Sequence, residues 1–522
     1  MPLFSSAERR FAQAVSSLAY CNPFLPERIE WEREALGDEF QDTQPYWSRQ
    51  VGMDQERPNV LRLAERVEQL VATVRPKLNK NTPGSADLTL YEDLVCYLLY
   101  YRNWSELSEA LKPGTPGITA AGKLRLWKPF LADYQQLMAP GGQELSAALT
   151  PAHLLACLFQ IRRAFHHIFD FIVGGSAPAG KLRAAIWQSI FTHDMRRYRR
   201  VLYRRMGDIT TLVTGPSGTG KELVARAVAF SRYIPFDTER ERFEINYSEL
   251  FHPLNVSALS STLVESELFG HCRGAFTGAV GDRRGWLETC HPLGTVFLDE
   301  IGEIDTTIQV KLLRVLHSRI FQRLGETEPR RFEGKIIAAT NRDLAAEMQA
   351  GNFRQDFYYR ICADMITTPM LNEQLAGSAE NLRDLALFIA RRESEPAEAE
   401  PLADEVVAWI ERHLGLDYAW PGNIRELEQC VRNVMIRREY HPALAAPSAS
   451  AAACDLAAAI EAGTLSADEL LKHYCTMTYA KTGSYEATAE KLKLDRRTVK
   501  SKIDEEIVAK LRGDGSKMTK LE

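Results

Sequence analysis

Seven consecutive residues, Gly215, Pro216, Ser217, Gly218, Thr219, Gly220 and Lys221, have the composition of a polyphosphate cradle. The glycines let backbone N–H groups turn inward around phosphate oxygens, Lys221 supplies a point charge, and a following helix adds the positive end of its dipole. The context fits, because an apolar run, Thr211 to Thr214, precedes the loop and a helical pattern, Glu222 to Phe230, follows it. Glu222 stands where a Ser or Thr would ordinarily ligate Mg²⁺, so that ligand is expected to come by another route, through water. Further along, Gly294 to Glu300 reads as a buried strand ending in two acids. Asp299 is expected to hold Mg²⁺ and Glu300 to polarise an attacking water. A third apolar run, Lys335 to Thr340, ends in Asn341, whose amide could sense the γ-phosphate or that water. Taken in order, loop, acid pair and polar-ended strand point to ATP binding and hydrolysis.

Holding these groups together requires a mostly parallel sheet covered by helices, since short β-rich runs alternate with helical patterns after Ile209. The chain reads as multidomain α/β. Residues 1–183 are expected to form an all-α N-terminal domain, with helical periodicity over Val60 to Val74, Leu90 to Tyr101 and Leu154 to Val173. Residues 184–371 form the α/β core and 372–440 a small helical lid, with Trp420-Pro421-Gly422-Asn423 stopping one helix and capping the next. Residues 441–464 read as an Ala-rich linker too poor in large side chains for a core. Residues 465–522 read as a compact helical unit. No catalytic arrangement is visible in the N-terminal helices, and His166 and His167 read as helix residues rather than ligands.

The 522 residues are 45% hydrophobic and 25% charged, which suits several folded domains and excludes a mostly disordered chain. The net charge of -5 gives no overall attraction to nucleic acid or anionic membrane. No apolar run is long enough to span a bilayer, and the N-terminus lacks a signal core, so a cytoplasmic location is expected. Nine cysteines without a CxxC pair read as reduced thiols. Basic charge is local: Lys481, Lys491, Lys493, Arg496, Arg497, Lys500 and Lys502 face only Glu486, Glu490 and Asp495. They lie on a helix, turn and second helix with Ala487, Ala489, Leu492, Val499 and Ile503 as the expected core. Such a patch suits phosphate attraction.

Over about Ile190 to Arg438 the chain resembles the AAA+ ATPases that activate bacterial sigma-54 RNA polymerase, the enhancer-binding proteins. The most specific pieces are Glu265 to Gly270 and the hexapeptide Gly274, Ala275, Phe276, Thr277, Gly278 and Ala279. Glycines at both ends allow a tight turn, placing Phe276 and Thr277 at its tip. The resemblance implies a loop that moves with nucleotide state and grips sigma-54, supported by a second loop at Ile320 to Phe332. It implies that Arg354 and Arg360 reach a neighbouring subunit's ATP, that Arg425 couples the lid to the γ-phosphate, and that Asn255 restrains Glu300. It also implies a homo-oligomeric, hexameric ring. Two segments depart from the family pattern: a longer Tyr233 to Pro253, and Pro369 to Gln374 at the core-to-lid hinge.

The C-terminal segment resembles the family's Fis-type helix-turn-helix, with Arg496, Arg497, Thr498 and Lys500 as contact candidates on upstream double-stranded DNA. The implied function is an ATP-driven activator that remodels the closed promoter complex of the sigma-54 RNA polymerase holoenzyme, with no membrane partner. The alternatives are a DNA-binding repressor or scaffold that uses ATP without remodelling polymerase, and a different AAA+ motor.

Overall fold

Apolar side chains recur every three or four residues through the first 200 positions, and the computed structural model of the protein turns these stretches into helices. The structure describes residues 2–47, 57–78, 83–118, 120–139, 149–442 and 466–503. The helices are α1 (Ser6–Tyr20), α2 (Glu27–Leu36), α3 (Pro58–Leu78), α4 (Ser85–Arg102), α5 (Trp104–Glu109), α6 (Trp127–Met138), α7 (Pro151–Phe171), α8 (Ala177–Phe191) and α9 (Met195–Arg200). Their starts follow capping chemistry. Ser5 and Glu8 form a capping box on α1, while the Thr150 and Ser176 hydroxyls accept from His153 and Ala179 N–H at α7 and α8. His167 is buried in α7 against Phe171, Phe230 and Tyr247, a packing residue as expected.

The five-stranded parallel sheet has the order β11-β1-β10-β7-β4, formed by β1 (Thr211–Thr214), β4 (Phe251–Asn255), β7 (Thr295–Asp299), β10 (Lys335–Thr340) and β11 (Asp364–Thr367). Three two-residue hairpins flank it: β2 (Phe236–Asp237) with β3 (Arg242–Phe243), β5 (Gly270–His271) with β6 (Arg283–Arg284), and β8 (Ile320–Phe321) with β9 (Arg330–Arg331). The core helices are α10 (Lys221–Phe230), α11 (Ser261–Phe269), α12 (Trp286–Thr289), α13 (Thr306–Ser318), α14 (Leu344–Gln349) and α15 (Gln355–Ile361). The lid comprises α16 (Leu371–Leu375), α17 (Ala379–Glu393), α18 (Ala399–His413) and α19 (Asn423–Arg437). The hinge segment that departs from the family pattern is tied to the lid by Leu371 N–H donating to the Asn423 side chain at 2.9 Å.

The expected boundary at 183/184 falls inside α8, a correction with a packing cause. Leu182, Ile186, Trp187 and Ile190 of α8 share one core with Ile168 and Phe169 of α7, with Val224 and Val228 of α10, and with sheet residues Val213 and Ile366. The N-terminal helices therefore cover one face of the sheet, and Met1–Tyr440 is one compact unit. The longer segment at 233–253 makes a second tie. Its hairpin inserts Phe236 against Trp127 and Phe243 against Phe159, with ring centroids 4.7 and 4.6 Å apart, and Leu124 and Phe243 exchange backbone bonds across the contact with Glu241 and Gly117.

The second unit, His441–Glu522, is described over α20 (Ala467–Thr482), α21 (Tyr485–Leu492) and α22 (Arg496–Lys502). Gly483 at φ +69° ends α20, and Asp495 caps α22 by accepting from Arg497 N–H. Its centre holds Cys475, Thr476, Thr488, Ala489 and Val499. Ala487, expected inside, faces solvent, because the helix turns Thr488 inward, where its hydroxyl meets that of Thr482 at 2.6 Å. The Ala-rich linker expected at 441–464 falls outside the described residues from 443 onward.

Candidate functional site

The phosphate loop joins β1 to α10, and its shape depends on glycine. Gly215 and Gly218 have φ of +143° and +78°, and a Cβ on them would stand 2.1 Å from the Thr368 hydroxyl and 2.4 Å from the Gly422 carbonyl. Gly220, at φ +87°, precedes the N-terminal turn of α10. Thr219 is buried, its hydroxyl bonded to Pro216 O at 2.8 Å and to Thr368 at 2.6 Å. The Lys221 ammonium donates to Gly215 O and Pro216 O at 3.0 and 3.1 Å. Burial lowers its pKa, an effect opposed by the nearby Glu300 and Asp299 carboxylates. Glu222 is paired with Arg226 at 2.7 Å one turn along.

Asp299 closes β7, and Glu300 follows in the left-handed region at φ 57°, a conformation that aims the second acid away from the strand. Burial, then the adjacent Glu300 charge, raises the Asp299 carboxyl above the usual aspartate range. Asn341 N–H donates to the Glu300 carboxylate at 3.3 Å, so the polar end of β10 holds Glu300 through its backbone. Asn255 lies beside Asp299 in the sheet register, and its side-chain oxygen accepts from Ser257 N–H and hydroxyl.

The lid closes over this loop directly. Ile424 N–H donates to Gly218 O at 3.0 Å, the Asn423 amide to Ser217 O at 3.0 Å, and Arg425 to the Ser217 hydroxyl at 2.9 Å. A cleft of about 620 Å³ results, with Lys221, Asp299, Glu300 and Arg425 on its wall. Asp170 and Phe171, from the last turn of α7, also border it. Sequence reasoning missed Thr368, Asn423 and these two α7 residues. The first two lie in segments recognised for other reasons, while nothing local signals the α7 contact.

The Gly274–Ala279 turn is closed by Gly274 N–H to Ala279 O at 2.9 Å and Ala279 N–H to Phe276 O at 3.0 Å. Gly274 and Gly278 both have positive φ with open space where a Cβ would be, so the turn needs them for backbone conformation. Thr277 faces solvent and Val280 is 84% exposed. Phe276, expected at the tip, is half-buried because its ring packs edge-on against His271 at 4.9 Å. Support comes from the 320–332 hairpin, where Leu324 bonds to Gly270 O and Cys272 N–H, and where Arg323 grips Glu288 at 2.6 and 2.8 Å. The arginines hold the Glu288 carboxyl below its usual range.

Arg354 precedes α15 and Arg360 lies in its last turn; both are exposed, and neither borders the chain's own nucleotide cleft. Arg354 pairs with Asp356 at 2.7 Å. In the second unit Arg496, Arg497 and Lys500 are exposed on α22, Thr498 is half-buried, and Arg496 pairs with Glu486 at 2.9 Å. Eight described cysteines are free. No described helix is long and apolar enough to cross a membrane.

A family model described as the sigma-54 interaction domain matches residues 189–367. The Nif-specific regulatory protein of Azotobacter vinelandii is 42% identical over 230 residues, 44% of this chain and 40% of that one. The DNA-binding transcriptional regulator NtrC of Rhizobium meliloti (strain 1021) is 39% identical over 242 residues, 46% of each chain. The match thus spans less than half the length of these curated relatives. Among solved structures, NtrX from Brucella abortus in complex with ADP aligns at 23% identity with a TM-score of 0.38, over 68% of this chain and 76% of that one. The segment that carries the phosphate loop, the acid pair and the Gly274–Ala279 turn matches the sigma-54 interaction domain, and the chain is similar to these two regulators over less than half of its length.

Proposed function

We propose that this protein is an ATP-hydrolysing activator of transcription that acts on the closed promoter complex of the sigma-54 RNA polymerase holoenzyme. The observation that carries the reading is the placement of a solvent-facing Gly274–Ala279 turn on the same sheet framework as a loop-and-acid-pair cleft. ATP is the substrate of that cleft. Asp299 is the residue that would hold an ATP-bound Mg²⁺, an ion taken chiefly by phosphate oxygens, water and one carboxylate, and its chemistry there is charge neutralisation at the phosphates. Glu300, steadied by Asn341 N–H, orients and deprotonates the attacking water; Lys221 and Arg425, both on the cleft wall, address the phosphates.

Arg354 and Arg360 are directed outward, which suits groups that complete a neighbouring subunit's site in a hexameric ring. Asn255, beside Asp299, acts as the restraint on Glu300. Thr277 and Phe276 meet sigma-54. Residues 465–522 act as a helix-turn-helix on upstream double-stranded DNA through Arg496, Arg497, Thr498 and Lys500, and the protein works in the cytoplasm. The test is open-complex formation on a sigma-54 promoter with purified protein, comparing ATP with a non-hydrolysable analogue. Opening with ATP alone is expected; ATP turnover without opening would reject the activator reading.

A further inference from the structure

The N-terminal helices, mute in sequence, enclose a cavity of about 130 Å³ walled by aromatic side chains of α1, α4, α7, α8 and α9, among them Tyr97, Tyr100, Phe165, Trp187 and Phe191. A void of that size in an apolar wall accepts a single aromatic ring. It adjoins a second chamber of about 360 Å³, the two sharing Trp47, Val60, Tyr101 and Phe165, so a ring substituent has room to extend.

Two features separate this cavity from a packing defect. Tyr97 and Tyr100 are only 8% and 7% exposed and both line it. Beyond a loose approach of Tyr101 to the first and Arg162 to the second, neither hydroxyl has a hydrogen bond of normal geometry. Buried hydroxyls without such bonds are costly, and a ligand's polar group would satisfy them. The charges in the wall, by contrast, are balanced and engaged. Arg28 meets Glu32 at 3.0 Å, Arg199 meets Glu92 at 2.7 Å, and Asp93 accepts from Ser16 at 2.8 Å and from Arg196. Those pairs belong to the ring cavity; the adjoining chamber carries the buried Arg162 guanidinium, which lies beside the Tyr100 hydroxyl.

We propose that this cavity is a binding site for a single-ring organic molecule carrying a hydrogen-bonding group, recognised by ring packing and by the Tyr97 and Tyr100 hydroxyls. The site rests on the N-terminal helices alone and is independent of the activator reading, because binding is measured without promoter, polymerase or ATP.

The experiment is a ligand-observed NMR titration of the full chain with benzamide and benzene. Benzamide is expected to bind saturably, about fivefold more tightly than benzene for one added buried hydrogen bond. Tyr100→Phe and Tyr97→Phe, which keep ring volume and so the fold, should together erase the advantage over benzene. Ala19→Leu, which fills the wall, should weaken both rings while the melting temperature is retained. Absence of saturable binding by benzamide, or an undiminished preference over benzene in the two Phe variants together, would each overturn the proposal.

Discussion

Asp299, proposed to hold a cation and for that task ionised, is buried beside a second carboxylate, so two demands conflict there. The raised pKa is that of the unliganded site, so the acid limb of kcat/KM for ATP, which reports the free protein, should lie at higher pH than a free carboxylate would dictate. The stability sign is opposite to the usual carboxylate case. Between the unfolded pKa and the raised folded one, the native state binds more protons, so stability drops as pH rises through that window and the cost persists at neutral pH. Asp299→Asn is therefore expected to lose hydrolysis by about 100-fold or more without lowering the melting temperature; a destabilised Asn variant would assign the residue a structural task instead. The exposed groups make cleaner tests. Thr277→Ala should hydrolyse ATP normally and fail to open promoters, and normal opening would remove the turn from sigma-54 contact. Arg360→Ala should keep nucleotide binding and lose turnover by about 10³-fold, measured at concentrations where the wild type assembles; undiminished turnover would show that no neighbouring site uses it.

At the scale of elements, the phosphate-loop helix is held at its far end by the N-terminal region. The C-terminal carbonyls of α10 need partners, and α7 supplies them from buried side chains: Arg163 donates to Phe230 O at 2.8 Å and to Arg232 O at 2.5 Å, and Gln160 donates to Ser231 O at 2.8 Å. Arg163→Met should leave two buried carbonyls short of a donor and cost about 3 kcal/mol, read as a lower denaturant midpoint at unchanged slope; an unchanged midpoint would mean α10 needs no such cap. This joint was not legible in the sequence, because a buried arginine and the carbonyl it serves, 67 residues apart, leave no local pattern. The strands β1 and β10 were legible to the residue as fully or nearly fully buried runs between turns. The edge strands β4 and β11 were not: each exposes part of its length, and β4 contains Pro253, which cannot donate to a ladder. For the site, the loop, the acid pair and the Gly274–Ala279 turn were readable because their chemistry is local. Thr368, Asn423 and the α7 wall were not, since their roles come from tertiary contact. The inward turn of Thr488 in place of Ala487 shows the same limit inside one short helix, where two small neighbours give periodicity little to choose between.

The whole first unit departs from a picture of a regulator tethered to a motor. Helix α7 borders the ring cavity with Leu158 and Phe165 and the nucleotide cleft with Asp170 and Phe171, so one rigid element of 21 residues touches both. The hairpin at 236–243 adds a second attachment, and α8 lies against the sheet edge strand β11, with Ser189 bonded to Asp364 at 2.5 Å. Removing residues 1–183 would cut α8 midway and uncover the face of the sheet that Ile168, Phe169 and Ile172 now shield. The expected result is that a 184–440 fragment is insoluble or melts far below the full chain, and that calorimetry of residues 1–440 shows the N-terminal helices and the α/β core unfolding together. A soluble fragment that binds ATP and melts at the temperature of the intact unit would sink this, by showing that the shared core contributes little. If the two regions do unfold as one, an event in the N-terminal helices has no need of a flexible relay to reach the cleft, because α7 forms part of its wall and caps the helix that carries Lys221.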